Sequence, residues 1–323
     1  MILAKAPLRV SLFGGGTDIP AFYTKYTGAT ISMAIDKYVY VTVMHTPHDH
    51  VKVTYSKTEL VDTAADVKND IVREALCYFG ISKNIEITTF ADIPTIGTGL
   101  GGSSAFTCAL VAALGEYTDA KFSKYDIAEI ACHIELTRCK WNIGKQDQYA
   151  SAFGGMNYIE YKNYDNGENP GEDTSDIITV TSLNSQDISY YCLLIPTNIT
   201  RHSSDIIDSI DFVDKESLLR GMASITTLLK DSPPSFKLYS KYLNNAWESK
   251  KKLSSSISTN DIDSMIVRCI DNDASACKLL GAGGGGFMLA LTDNRDKLKQ
   301  IFNDRVCIEF RIAQNGAQVV YRD

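Results

Sequence analysis

The residues best suited to chemistry are concentrated in Pro94-Thr-Ile-Gly97-Thr-Gly99-Leu100-Gly101-Gly102-Ser103-Ser104-Ala105. Glycine lets a backbone reach positive φ and approach a ligand closely. Consecutive N–H groups in such a loop converge on anionic oxygens. A strand is expected before this segment and a helix after it, so the helix N-terminus would add free N–H groups and its positive dipole end. Ser103 and Ser104 stand where a side chain caps the helix or offers a hydroxyl to Mg²⁺. Phosphate binding is the chemistry these features predict. Competing readings are weaker. Gly97, Gly99 and Gly102 satisfy Gly-x-Gly-x-x-Gly, but a dinucleotide fingerprint opens a first βαβ unit and has an acidic residue about 20 positions on, after a second strand. Here two expected helices follow instead. A Walker loop requires Gly-Lys-Ser/Thr, and the segment has no lysine. A purely structural turn would not call for so many small residues.

Two further glycine clusters flank this one. The first is Lys5-Ala6-Pro7-Leu8-Arg9-Val10-Ser11-Leu12-Phe13-Gly14-Gly15-Gly16-Thr17-Asp18, an expected strand running into glycines. The other is Lys278-Leu-Leu-Gly281-Ala-Gly283-Gly284-Gly285-Gly286-Phe287-Met288, which leads into an apolar strand. Each alone reads as a loop. Placed at the start, middle and end of the chain, the three imply one shared anion-binding cleft.

The elements that must position them are those of an ordinary soluble protein. The 323 residues are 44% hydrophobic and 22% charged, with a net charge of −7. A chain this long buries a sizeable core unaided. The negative charge argues against nucleic acid, which needs a basic face; any anionic ligand must be held by local groups. No apolar run of roughly 18 residues is present, so no membrane span is expected, nor does the N-terminus read as a secretory leader. The eight cysteines include no Cys-x-x-Cys pair and fit reduced, buried thiols in a cytoplasmic protein. Strands are expected at 2–13, 30–45, 51–56, 84–90, 153–161, 188–195, 286–292, 306–312 and 317–321, from β-branched and aromatic alternation. Helices are expected at 66–79, 103–116, 124–140, 203–211, 216–231, 235–253 and 260–273. These do not alternate as βαβ units, which favours α+β over a doubly wound sheet. The stretch 162–176 is polar and rich in Asn, Asp, Gly and Pro, a surface loop and the expected domain boundary, giving units 1–176 and 177–323. His45, His48 and His50 lie in a solvated loop rather than a metal site, and His133 is expected to pack in the core.

The chain resembles the GHMP kinase superfamily (galacto-, homoserine, mevalonate and phosphomevalonate kinases), whose three motifs match Ala6 to Asp18, Pro94 to Ala105 and Lys278 to Gly286 in that order. Gly144-Lys145-Gln146-Asp147-Gln148-Tyr149-Ala150 resembles the segment that holds the family's catalytic aspartate. Gly14-Gly-Gly-Thr17-Asp18, Ile134-Glu135 and Ile199-Thr200-Arg201 are most similar to the D-glycero-D-manno-heptose phosphate kinases and fucokinases, while galactokinases usually carry Gly-Glu-His-Thr-Asp in the first motif. The resemblance implies a ribosomal protein S5 domain 2-like N-terminal domain, a ferredoxin-like C-terminal domain, ATP and Mg²⁺ as cofactors, and a sugar or sugar phosphate as small-molecule partner.

It also implies the site. Asp147 would accept the proton of a sugar hydroxyl, with Arg9 beside it keeping it ionised and stabilising transition-state charge. Pro94, Gly97, Gly99, Leu100, Gly101, Gly102, Ser103, Ser104, Gly283 and Gly284 would bind ATP. Gly15, Gly16, Thr17, Asp18, Gly144, Arg201 and Gly285 would bind the acceptor, Arg201 by meeting a substrate phosphate bidentately. Ser104 and Glu135 would hold Mg²⁺. The alternatives are another sugar-1-kinase, fucokinase- or galactokinase-like, a non-catalytic sugar and ATP sensor on the same fold, and an isoprenoid diphosphate decarboxylase.

Overall fold

The computed structural model describes residues 1–95, 97–163, 176–184, 188–200, 203–232 and 235–323. The first half of the chain holds β1 (Ile2–Phe13), α1 (Pro20–Tyr23), β2 (Gly28–His45), β3 (Val51–Thr54), β4 (Thr58–Val61), α2 (Asp70–Tyr78) and β5 (Ile85–Ala91). After the central glycine segment come α3 (Gly102–Tyr117), α4 (Lys124–Cys132), α5 (Gln146–Phe153), β6 (Met156–Asn163) and β7 (Asp176–Ser182). The remainder folds as β8 (Cys192–Pro196), α6 (Ser203–Asp208), α7 (Glu216–Lys230), α8 (Phe236–Lys251), α9 (Asn260–Ile270), β9 (Ala274–Leu279), β10 (Phe287–Thr292), α10 (Arg295–Ile301) and β11 (Gln318–Arg322).

The larger sheet runs β11-β1-β2-β5-β3-β4, with β6 on the early half of β2 and β7 beyond it. Its pairs are antiparallel except β3 with β5, as an α+β fold requires. β2 is long enough to serve two neighbours on one edge: Gly28–Met33 pair with β6, and Val39–His45 with β5. Strand β7 and the late strand β11 both join this sheet, so the chain returns to it twice after residue 175.

The smaller sheet, β8-β10-β9, is buried on both faces. Leu193, Ile195, Met288 and Ala290 pack with Leu219, Trp247, Ile262 and Phe302 of the surrounding helices. Cys192, Leu194, Leu289 and Leu291 point the other way, into the core shared with the larger sheet. Side chains alternate across a strand, so a sheet between two apolar layers must be apolar at every position, and all of β10 is buried.

Helix α3 packs against β1, β2, α4 and α5. Surrounded in this way, it is apolar nearly all round, and its alanines and glycines allow close approach. Ser123 and Asp126 form a reciprocal capping box at the start of α4.

Several elements differ from expectation. The helix expected over 124–140 leaves α geometry at Cys132 and continues as a wider π-helical turn, His133–Arg138. His133 is exposed there, against the ring of Tyr78, instead of packed in the core. Residues 146–153 form a helix where a loop and strand were expected. β9 and α10 were not anticipated, and the stretch 306–312 contributes only isolated bridges at Ile308 and Ile312. All eight cysteines are free thiols, five of them buried. Among the described residues no helix is long and apolar enough to cross a membrane.

Candidate active site

Alternate residues of β1 share one face, and on this strand they reach consecutive residues of α5. Ser11 donates to Gln146 Oε1 at 2.8 Å, while Arg9 holds Asp147 with Nε to Oδ1 and Nη2 to Oδ2, both at 2.7 Å. The register of β1 on β2 shifts between Pro7 and Arg9, a kind of irregularity that re-aims side chains. The third Arg9 donor, Nη1, goes to the carbonyl of Gly99 at 2.6 Å, and the Arg9 backbone N–H goes to Leu100 O at 2.9 Å. Arg9 is 3% exposed, whereas a quarter of the Asp147 side chain is open to solvent. A planar, permanently charged fork thus fixes one carboxylate and ties it to the glycine loop.

The loop closes over this pair. Gly101, at φ +71°, caps α3, and a Cβ there would lie 3.1 Å from Arg9 Cγ and 3.2 Å from Asp147 Oδ2. Ser103 and Ser104 follow in the first turn of the helix, whose N-terminus faces a cleft of about 960 Å³. Behind Ser104 lies Glu135, fully buried. It accepts hydrogen bonds from Ser104 Oγ at 2.9 Å, from Thr107 Oγ1 and from Gln148 Nε2. Burial lifts its carboxyl to about 7, although the three donors pull the other way. The π-helical turn carries it, a distortion common at functional sites.

The first motif supplies a second buried carboxylate. Asp18 accepts from the N–H groups of Gly16 at 2.9 Å and Gln146 at 3.2 Å. Burial raises its pKa, with the nearby Asp147 charge adding to the effect. It packs so tightly under Gly144 that a Cβ there would come within 1.8 Å of Oδ2. The third motif meets the second backbone to backbone: a Cβ on Gly281 would lie 2.4 Å from Gly99 Cα. Lys278 reaches back to the first motif, donating to the carbonyls of Ser11 and Leu12 at 3.1 and 2.9 Å.

Residues 63–155 match the GHMP kinases N terminal domain and residues 228–310 the GHMP kinases C terminal domain. A D-glycero-alpha-D-manno-heptose 7-phosphate kinase of Campylobacter jejuni is 30% identical over 93% of this chain and 92% of its own. The chain belongs to the GHMP kinases. Its two-domain fold is theirs: the crystal structure of a D-glycero-D-manno-heptose 1-phosphate kinase from Bacteroides thetaiotaomicron superposes with a TM-score of 0.73 at 22% identity, covering 100% of both chains. A mevalonate kinase structure superposes with a TM-score of 0.74 at 17% identity, covering 98% of this chain and 100% of its own. As a GHMP kinase, the protein is a phosphotransferase with a hydroxyl acceptor.

On this GHMP kinase framework, Arg9, Asp147, Gly15, Gly16, Asp18, Gly97, Gly99, Gly101, Gly102, Ser103, Ser104 and Gly144 all line the one cleft. Others singled out in the sequence lie off its wall. Thr17 is fully buried, its hydroxyl shared between the carbonyls of Gly14 and Ala29 and accepting from Ala29 N–H, so it braces the loop. Leu100 is core, and Pro94 is exposed at the start of the loop. Gly283 and Gly284 pack on Ile257, and Gly285 packs on Ile199, while their neighbours Gly281 and Ala282 face the cleft. Glu135 reaches the cleft only through Ser104. Arg201 lies outside the described residues. Sequence reasoning missed Thr107, Gln148 and Lys250. Thr107 had a readable signal, since it follows Ser104 by three residues and so shares its helix face.

Proposed function

We propose that the protein is an ATP-dependent sugar kinase acting in the cytoplasm on the anomeric hydroxyl of D-glycero-D-manno-heptose 7-phosphate, in the making of nucleotide-activated heptose. The observation that carries this reading is the Arg9–Asp147 pair fixed against the glycine loop inside the cleft. The Campylobacter relative supports the choice of acceptor. Each Asp147 oxygen has a further lone pair beyond the one given to Arg9. Asp147 takes the proton of the acceptor hydroxyl; the oxygen bonds to the γ-phosphorus as the bond from that phosphorus to the bridging oxygen breaks, and ADP departs with the electron pair. Arg9, already oriented, meets the charge on the moving phosphoryl group without reorganising.

The residues present fit the nucleotide and its metal. Gly97, Gly99, Gly101, Gly102 and Ser103 form the phosphate-binding wall at the α3 N-terminus. Ser104 donates its hydroxyl hydrogen bond to Glu135, which leaves the hydroxyl lone pairs for Mg²⁺, a cation that takes hard oxygen ligands and keeps several waters. Glu135 then orients Ser104 from behind. Bound there, Mg²⁺ supplies charge neutralisation at the phosphates. Gly15, Gly16, Asp18 and Gly144 face the acceptor. Residues 1–176 form the ATP-binding domain in this reading and 177–323 the C-terminal domain.

The test is ADP release by the full chain with ATP, Mg²⁺ and a panel of heptose 7-phosphate, mannose, galactose, fucose and mannose 6-phosphate, with phosphorus NMR of the product. The highest kcat/KM is expected with heptose 7-phosphate, phosphorylated at the anomeric carbon. A panel without any phosphorylated product would overturn the reading.

A further inference from the structure

Lys250, in the last turn of α8, is 8% exposed and lines the cleft. Its ammonium donates to the Gly281 carbonyl, its one hydrogen-bond partner among the described residues. None of the described carboxylates is within ion-pair distance of it. An ammonium has three donors, so two remain for whatever occupies the cleft. An unpaired buried charge is costly, and the other two buried lysines are better satisfied: Lys145 is paired with Asp176 at 2.7 Å, and Lys278 stands off the cleft wall with two carbonyls on its Nζ. Lys250 has no such saturation. Its neighbours place it beside the reacting groups. Gly281, which it holds, abuts Gly99, and the Gly99 carbonyl receives Arg9.

We infer that Lys250 is a phosphate-binding cation of the cleft, set beside Arg9 to hold a phosphate group of a bound ligand. The identity of that ligand rests on the kinase reading above: either the γ-phosphate of ATP or the acceptor's own phosphate. Burial pulls the ammonium down to about 8 in the free protein, with Arg9 pushing the same way and Asp18 and Asp147 opposing. Lys278, behind it, is itself shifted far down by burial and by the Lys250 and Arg9 charges. A phosphate dianion at Lys250 favours the charged form. At pH 8.5 a group titrating at about 8 is roughly one-quarter protonated, so full protonation on binding takes up about three-quarters of a proton.

The experiment is isothermal calorimetry of the full chain at pH 8.5, in two buffers of different ionisation enthalpy, with ATP, ADP and heptose 7-phosphate titrated separately in the presence of Mg²⁺. Proton uptake with ATP but not ADP assigns the γ-phosphate, and uptake with heptose 7-phosphate assigns the acceptor phosphate. Lys250→Met should bind that ligand about 10- to 100-fold more weakly, the scale of a lost charge-assisted hydrogen bond, without uptake. Lys250→Arg should recover most of the affinity yet take up no proton, because guanidinium does not titrate there. The proposal is overturned if wild type takes up no proton with any of the three, or if Lys250→Met binds all three as wild type does. Turnover is read separately. Uptake with ATP in a chain that phosphorylates no sugar removes the kinase reading and keeps the phosphate site. An active kinase without uptake removes Lys250 alone.

Discussion

Replacing Glu135 by Gln should make the free protein more stable above neutral pH while impairing its activity. Glu135 is fully buried, and its carboxyl titrates at about 7 in the fold against an ordinary 4.5. Below about 4.5 it is protonated in both folded and unfolded chains, and the shift contributes nothing. Between about 4.5 and 7 the native state binds more protons than the unfolded state, so stability falls as pH rises. Above about 7 the full destabilisation is present. A difference of 2.5 units corresponds to roughly 3 kcal/mol, an order-of-magnitude figure. The amide carries no charge to desolvate. It also finds partners, because Gln148 Oε1 is buried without one and accepts from the new amide once the Gln148 side chain turns over. Calorimetric or fluorescence melts of both proteins without ligand, from pH 4.5 to 8.5, test this. Glu135→Gln should match wild type near pH 4.5 and melt about 5 °C higher at pH 8. Its activity should fall about tenfold or more and require more Mg²⁺, since Ser104 loses the acceptor that orients it. Equal melting points at pH 8, or an unchanged slope with pH, would refute the reasoning.

Asp147→Asn removes the proton acceptor of the proposed mechanism and one of the two oxygens that Arg9 grips. Turnover should fall on the order of 10² or more with ATP binding retained, read by coupled assay and calorimetry; unchanged turnover would remove Asp147 from its role. Two Gly→Ala changes should separate site from scaffold. Gly101→Ala puts a Cβ at φ +71° against Arg9 and Asp147, at a backbone cost of about 1–2 kcal/mol, and should lower kcat/KM about tenfold or more. Gly221→Ala lies in α7 with open space around it and should raise stability by about 0.5–1 kcal/mol with activity unchanged. Steady-state kinetics and melts on the pair decide the matter, and similar kinetics for both would count against the close packing of the loop on the pair.

What the sequence made legible follows from where each feature's cause lies. Gly97, Gly99 and Gly101 have φ between +66° and +73°, a backbone demand met by residue type, so it is written in the chain itself. Arg9 and Asp147 were legible through their motifs, and the period of β1 accounts for the way Arg9 and Ser11 meet neighbours on α5. Helix α5 was not legible, because it is eight residues long between glycines and too short for its periodicity to outweigh the local glycine signal. β9 reads Ala-Ser-Ala-Cys-Lys-Leu, small residues of low strand preference that are in place because the smaller sheet lies between two apolar layers. The burial of Glu135 was hidden for the same reason. Its donors Ser104, Thr107 and Gln148 come from two other elements, and no local pattern distinguishes it from a solvated helical carboxylate.

The same distinction explains the placement of the glycine clusters. Gly99 and Gly281 touch backbone to backbone although they lie far apart in the chain, and the Phe287 N–H donates to the Thr98 carbonyl at 2.9 Å. The third motif therefore abuts the loop directly, closing one side of the cleft. Side chains at those contacts would hold the two segments apart and draw Lys250 and Gly281 away from Arg9 and Asp147. The outer clusters that alone read as flexible turns are packing surfaces for the central loop. Gly283, Gly284 and Gly285 stand off the cleft wall on that account: their contacts are with Ile257 and Ile199, so they fix where Gly281 sits, and Gly281 in turn fixes where Lys250 meets the cleft.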